Sequence, residues 1–154
     1  MNILIIEDDE FKQRWIAEAV ADCLPEAIVA EARSVNAGLT ALQSTPPDAL
    51  LLDMSLTTFD VGPDEPGGRP QNFGGLEVLR QMDRLGLVVP TVVITQHERF
   101  ESATGEIDID KLADELNEDF PDSFRGIIYY NSSQGAWKLH LKRILRELTR
   151  RSKA

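Results

Sequence analysis

Pro46-Pro47-Asp48-Ala49-Leu50-Leu51-Leu52-Asp53-Met54 is a turn, a short apolar run and an acid. The run Ala49–Leu52 is too short for a helix and has no polar alternation. It reads as a strand buried on both faces, the kind that a parallel sheet covered by helices supplies. Four more short, mostly β-branched runs resemble it: Ile3–Ile6, Ala27–Ala32, Thr91–Ile94 and Gly126–Tyr130.

Segments with helical spacing lie between these strands. Phe11, Trp15, Ile16, Ala19, Val20 and Cys23 form one apolar stripe, with both Trp15 and Trp137 expected in the core. Leu76, Leu79 and Met82 form another, and Leu112, Leu116 and Phe120 a third. Trp137, Leu141, Ile144, Leu145 and Leu148 form the longest, and a weaker helix covers about 35–44. Five β–α units in alternation predict a doubly wound α/β domain with helices on both faces of a five-stranded parallel sheet.

Two stretches break the rhythm. Residues 56–75 hold eight of the chain's 18 Gly and Pro and read as a long irregular insertion. Residues 96–110 are polar, mostly acidic, and without a clear period. Loops of such length are commonly functional.

The 154 residues suit one domain, read here as spanning 1–154 with a basic C-terminal helix and tail at about 134–154. With 42% hydrophobic and 27% charged residues, a buried core is expected. No apolar run is long enough to span a membrane, and Met1 leads straight into an acidic segment with no leader pattern. The single Cys23 forms no internal disulfide, so a cytoplasmic setting is expected. A net charge of −10 argues against nucleic-acid binding by the whole chain. Residues 138–154 nonetheless carry seven Lys/Arg against Glu147 alone, net +6, which leaves −16 on residues 1–137. That basic end is a solvated helix terminus or a docking surface for an acidic partner.

The first strand ends in Glu7-Asp8-Asp9 and the third in Asp53. Ligands of doubly wound sheets bind outside the C-terminal strand ends, where neighbouring connections diverge. If the first and third strands are neighbours, Glu7, Asp8 and Asp53 share one crevice, and clustered carboxylates there suit Mg²⁺. Thr95 ends the fourth strand on the same rim, where a hydroxyl can donate to a phosphoryl oxygen.

Four pieces, in this order and spacing, resemble a response-regulator receiver domain of the CheY-like superfamily: residues 2–10, the stretch 46–54, Gly75-Leu76-Glu77-Val78-Leu79-Arg80-Gln81-Met82, and Val89-Pro90-Thr91-Val92-Val93-Ile94-Thr95. The resemblance implies the flavodoxin-like strand order 2-1-3-4-5 and a phosphoacceptor at Asp53. It implies Mg²⁺ held by Glu7, Asp8, Asp53 and the backbone carbonyl of Ser55, and a switch hydroxyl at Thr95. It implies a regulator rather than an enzyme, whose partner is a sensor histidine kinase or phosphotransfer protein. The chain stops within the fifth helix, so a stand-alone receiver that signals through protein contacts is expected, with homodimerisation through the fourth and fifth helices as one use.

The family's lysine at the end of the fifth strand is replaced here by Tyr130, with Ile127 at the aromatic switch position. Arg69, the only cation of the insertion, is a candidate substitute contact for the phosphoryl group. The departure also supports a different reading, a receiver-like interaction module that is not phosphorylated. A phosphotransferase acting on an outside substrate ranks last, because Ser55 stands where such an enzyme would need a second aspartate.

Overall fold

The computed structural model describes residues 1–56, 74–102, 105–131 and 135–153, with the side chains of 101–102 and 151–153 excepted. The strands are β1 (Asn2–Ile6), β2 (Ile28–Ala32), β3 (Ala49–Leu52), β4 (Thr91–Thr95), β5 (Arg99–Ser102), β6 (Gly105–Asp108) and β7 (Phe124–Tyr129). The helices are α1 (Glu10–Cys23), α2 (Val35–Ser44), α3 (Gly74–Arg84), α4 (Ile109–Asp119) and α5 (Ala136–Lys153). Five strands form a parallel sheet in the order β2-β1-β3-β4-β7, the flavodoxin-like receiver order expected from the sequence.

Each central strand splits its side chains between two cores. Leu4, Ile6, Leu50, Leu52 and Val93 face α2, α3 and α4, where Leu42, Val78, Leu79, Met82, Leu112 and Leu116 cover them. Ile3, Ile5, Leu51, Val92 and Ile94 face α1 and α5, under Ile16, Val20, Trp137, Leu141 and Leu145. Burying such a side chain is worth about 1.5–3 kcal/mol, so these two layers hold the sheet in register. Side-chain caps start three helices: Asp9 for α1, Ser34 for α2 and Asp108 for α4 each accept from backbone N–H groups of the first turn.

Three expectations change. The apolar run at β2 is an edge strand rather than a buried one, and Ile28 is exposed. The stretch without a period contains an antiparallel hairpin, β5 with β6, in which Phe100 and Ile107 pair and are both buried. The stripe of α1 is rotated from its expected face: Phe11 and Trp15 are exposed, at 70% and 45%, and the buried row is Lys12, Ile16, Ala19 and Val20. Trp15 is instead partnered by the Lys138 ammonium, 5.2 Å from its ring centroid, a cation–π contact at the surface. The insertion at 57–73, with Arg69 inside it, lies outside the described residues. Among the described residues no helix is long and apolar enough to cross a membrane.

Helix α3 begins pressed against the end of β3. A Cβ on Gly75 would overlap the carbonyl oxygen of Asp53 and come within 2.9 Å of the Met54 Cα, and neither backbone atom can rotate away. Gly75→Ala should therefore cost about 1–3 kcal/mol in denaturant unfolding. Gly135→Ala, where a Cβ meets nothing within 4 Å, should cost far less.

Candidate functional site

Two backbone hydrogen bonds carry the sheet's ladders one residue past the strands. Glu7 N–H donates to the Ala32 carbonyl at 3.0 Å, and Asp53 N–H donates to the Ile6 carbonyl at 2.9 Å. Each acid therefore leaves from a fixed backbone at the C-terminal rim, on either side of the point where the connections of β1 and β3 diverge. Glu7 and Asp53 are buried and Asp8 is half-buried. One carboxylate oxygen from each of Glu7, Asp8 and Asp53 lies within 4.8 Å of the others.

The cation among them comes from a position that sequence reasoning passed over. Lys12, in the first turns of α1, is 2% exposed. Its ammonium lies 2.7 Å from Glu7 Oε2 and 3.2 Å from Asp53 Oδ1, and it donates to the Ile94 carbonyl at 2.8 Å. Tyr130, just past the end of β7, is buried, with its ring centroid 5.9 Å from this ammonium and 4.9 Å from the Trp137 ring. The signal was present in the sequence: Lys12 is one turn before Ile16 on the side of α1 that Ala19 and Val20 bury. A lysine on a buried helix face needs charged partners.

The remaining contacts order the pocket. Asp53 Oδ1 also accepts from Ser55 N–H at 3.3 Å. Glu7 Oε1 accepts from Asp9 N–H at 3.1 Å. Thr95 is fully buried at the end of β4, and its hydroxyl oxygen accepts from His97 N–H at 3.1 Å. The Thr95 carbonyl accepts from Tyr130 N–H at 2.7 Å, which ties the β4 and β7 ends together. His97 itself is exposed, with its ring edge-on to Phe100.

Among the described residues the pocket gathers three carboxyl groups and one ammonium, with acids in excess. Burial, reinforced by the charge of Asp53, pushes the Glu7 carboxyl up to about 8 against the pull of Lys12. Burial and the Asp53 charge also raise Asp8. For Lys12, burial favours the neutral amine, but Asp53 and Glu7 outweigh it and hold the ammonium above its ordinary pKa.

A divalent cation would supply the missing charge, and the donor set suits one. Glu7 Oε2 is buried, and its contact with Lys12 is an ion pair without hydrogen-bond alignment. Together with Asp8 and Asp53, Glu7 offers hard oxygen ligands of the kind Mg²⁺ takes.

No family model matches the chain. It is 27% identical over 150 residues to the Detocs response regulatory protein DtcB of Enterobacter cloacae, an alignment covering 96% of this chain and 100% of that protein. Among solved structures it is similar to the N-terminal domain of a response regulator/sensory box/GGDEF 3-domain protein from Carboxydothermus hydrogenoformans. The TM-score is 0.64 at 19% identity, over 99% of this chain and 97% of that one. It is also similar to the response regulatory domain of protein mrkE from Klebsiella pneumoniae, with a TM-score of 0.65 at 16% identity over 97% and 95% of the two chains. The chain has the receiver fold, and one relative that it resembles over nearly its full length is a response regulatory protein.

Because folding raises the Glu7 pKa, between about 4.5 and 8 the folded protein holds a proton that the unfolded chain has released. In metal-free buffer this contribution to stability is full below the unfolded value and is lost as pH rises through the folded one. Glu7→Gln cannot titrate, so its unfolding free energy should fall less than that of wild type across this window in denaturant titrations.

Proposed function

We propose that this chain acts as a receiver in phosphorelay signalling, accepting a phosphoryl group on Asp53 with Mg²⁺ from a sensor histidine kinase or phosphotransfer protein. The observation that carries this reading is the meeting of Asp53 with Glu7, Asp8 and the Lys12 ammonium in one partly buried pocket at the rim of a receiver fold. Asp8 and Asp53, with Glu7 and the Ser55 carbonyl, would hold the metal. Bound Mg²⁺ would neutralise charge on the phosphoryl oxygens, the main requirement of phosphoryl transfer beyond positioning.

The chain's own residues do the rest. With a donor such as acetyl phosphate, an Asp53 carboxylate oxygen forms a bond to phosphorus while the donor's P–O bond breaks. Acetate leaves with that electron pair, and no proton changes hands. The Ser55 N–H fixes the acceptor carboxylate through Oδ1. The Thr95 hydroxyl, once turned to the phosphoryl group, donates to one of its oxygens. The output is contact with other proteins, a signalling task rather than catalysis on a foreign substrate, in a cytoplasmic setting.

One observation favours the second reading, an interaction module that is not phosphorylated. Tyr130 occupies the position of the family's lysine, and Lys12 already bridges Glu7 and Asp53.

Helices α4 and α5 flank the edge strand β7 from opposite faces of the sheet. The exposed acids Asp110, Asp114, Glu118 and Asp119 of α4 and the exposed Arg143 and Arg146 of α5 give a second copy complementary surfaces for a two-fold dimer. Such a dimer should weaken as salt rises, because surface charges are screened. Sedimentation at low and high salt reads this, and a monomer throughout leaves α5 for another acidic protein.

Intact mass after incubation with acetyl phosphate and Mg²⁺ tests the main reading. Wild type should gain one phosphoryl mass and Asp53→Asn none. Mg²⁺ should raise the melting temperature of wild type and do so less in Asp8→Asn, by linkage. A chain that binds Mg²⁺ yet never gains the mass belongs to the second reading.

A further inference from the structure

The pocket's cation sits on the helix that follows β1, and it is already bonded to the oxygen that would be esterified or to its twin. Lys12 Nζ lies 3.2 Å from Asp53 Oδ1, 2.7 Å from Glu7 Oε2 and 2.8 Å from the carbonyl of Ile94, the residue before Thr95. A phosphoryl group on Asp53 adds charge beside Glu7 and Asp8, and among the described residues Lys12 is the cation within reach of Asp53.

We propose that Lys12 is the phosphoryl-binding lysine of this chain: supplied by α1 instead of the end of β7, it leaves Glu7 to pair with a phosphoryl oxygen once Asp53 is modified. This rests on the phosphoacceptor reading above and adds to it the residue that holds the product.

The chemistry selects Lys12 over its neighbours. Ammonium pairs well with a phosphoryl oxygen as a point charge on a flexible stem. Its stem lies along the buried row of α1, so a short movement of Nζ suffices and the helix need not unwind. Tyr130 could not do this work, because a phenol carries no positive charge. Its ring instead borders the ammonium at 5.9 Å. Glu7 is the natural holder of Lys12 before phosphorylation, because its other oxygen is fixed by Asp9 N–H and its backbone by Ala32.

The position gives a rescue test. A lysine at 130 starts from a side chain that already borders the Lys12 ammonium, so Lys12→Met combined with Tyr130→Lys moves the charge to the strand end while keeping it in the pocket. Three proteins are compared: wild type, Lys12→Met and the double variant. Phosphoryl uptake from acetyl phosphate with Mg²⁺ is followed by intact mass. Binding of beryllofluoride with Mg²⁺ is followed by thermal shift, and Mg²⁺ alone by titration.

Lys12→Met should slow uptake about 100-fold or more, the scale on which removal of one charge-stabilising donor acts. It should also lose the beryllofluoride shift while binding Mg²⁺ at least as tightly as wild type. The double variant should recover uptake to within about tenfold of wild type. Uptake by Lys12→Met at the wild-type rate overturns the proposal and leaves the phosphoacceptor reading standing. Loss of Mg²⁺ binding in step with uptake, without rescue by lysine at 130, also overturns it, since Lys12 would then only hold the pocket together.

If wild type itself neither gains the mass nor binds beryllofluoride, the phosphoacceptor reading fails and this one with it. Should Lys12→Met not fold, the side-chain ¹⁵N resonance of Lys12 is followed in wild type. It must shift on addition of beryllofluoride with Mg²⁺, and an unmoved resonance overturns the proposal.

Discussion

A buried ammonium shared between two acids, Glu7 and Asp53, holds the C-terminal rim of the sheet together. Burial opposes charge at this rim, and Lys12 could not stay charged on the inner face of α1 without the acids beside it. Lys12 lets the two acids share burial, and removing it leaves both without their cation, a loss of about 3–5 kcal/mol in buried pairs of this kind. The requirement reaches far into the architecture. Glu7 needs β1 and Asp53 needs β3 as neighbours, and Lys12 needs α1 to start within three residues of Glu7. The Asp9 side chain secures that start by accepting from the N–H groups of Phe11 and Lys12.

The fold was legible because its signals are continuous. Apolar runs of four or five residues with helical stripes between them admit few arrangements, and the order β2-β1-β3-β4-β7 is the doubly wound one. The acids were legible for a related reason: Glu7 and Asp53 are the first charged residues after buried runs, so their place at a strand end followed from the pattern. What failed were features decided by a few residues. The β5–β6 hairpin buries one apolar side chain per strand, Phe100 and Ile107, amid charged neighbours, too little for a two-residue period to register. β2 has an apolar composition but lies at an edge, which composition alone does not distinguish from the centre.

Lys12 was missed through the aromatics beside it. Reading Phe11 and Trp15 as core rotates α1 by about one residue, or about 100° given 3.6 residues per turn, and that rotation turns Lys12 to solvent. The chain resolves the competition the other way because Lys12, turned inward, pairs its ammonium with both Glu7 and Asp53. An exposed indole is tolerable at the surface when its face meets a cation such as Lys138. Hydrophobic periodicity ranks aromatic rings above a lysine and has no term for carboxylates that arrive from distant strands. The ion pairs of Lys12 with Glu7 and Asp53 span five and 41 residues of sequence, and only the second depends on the assembled sheet.

Residues 7–12 close on themselves: Glu7 Oε1 accepts from Asp9 N–H, the Asp9 carboxylate accepts from Lys12 N–H, and the Lys12 ammonium returns to Glu7 Oε2. The first turn of α1 is thereby fastened to the end of β1 by charge as well as by chain. A cation at the end of β7 would instead link the pocket to the strand end where the Tyr130 ring lies tilted against Trp137. With the cation on α1, a change of charge at Asp53 acts directly on the Lys12 ammonium and on the ring of contacts that holds α1. The helix so affected carries Phe11 and Trp15 on its outer face. The acid pocket and the exposed aromatic surface therefore share one helix, and the route between them is a single turn of it.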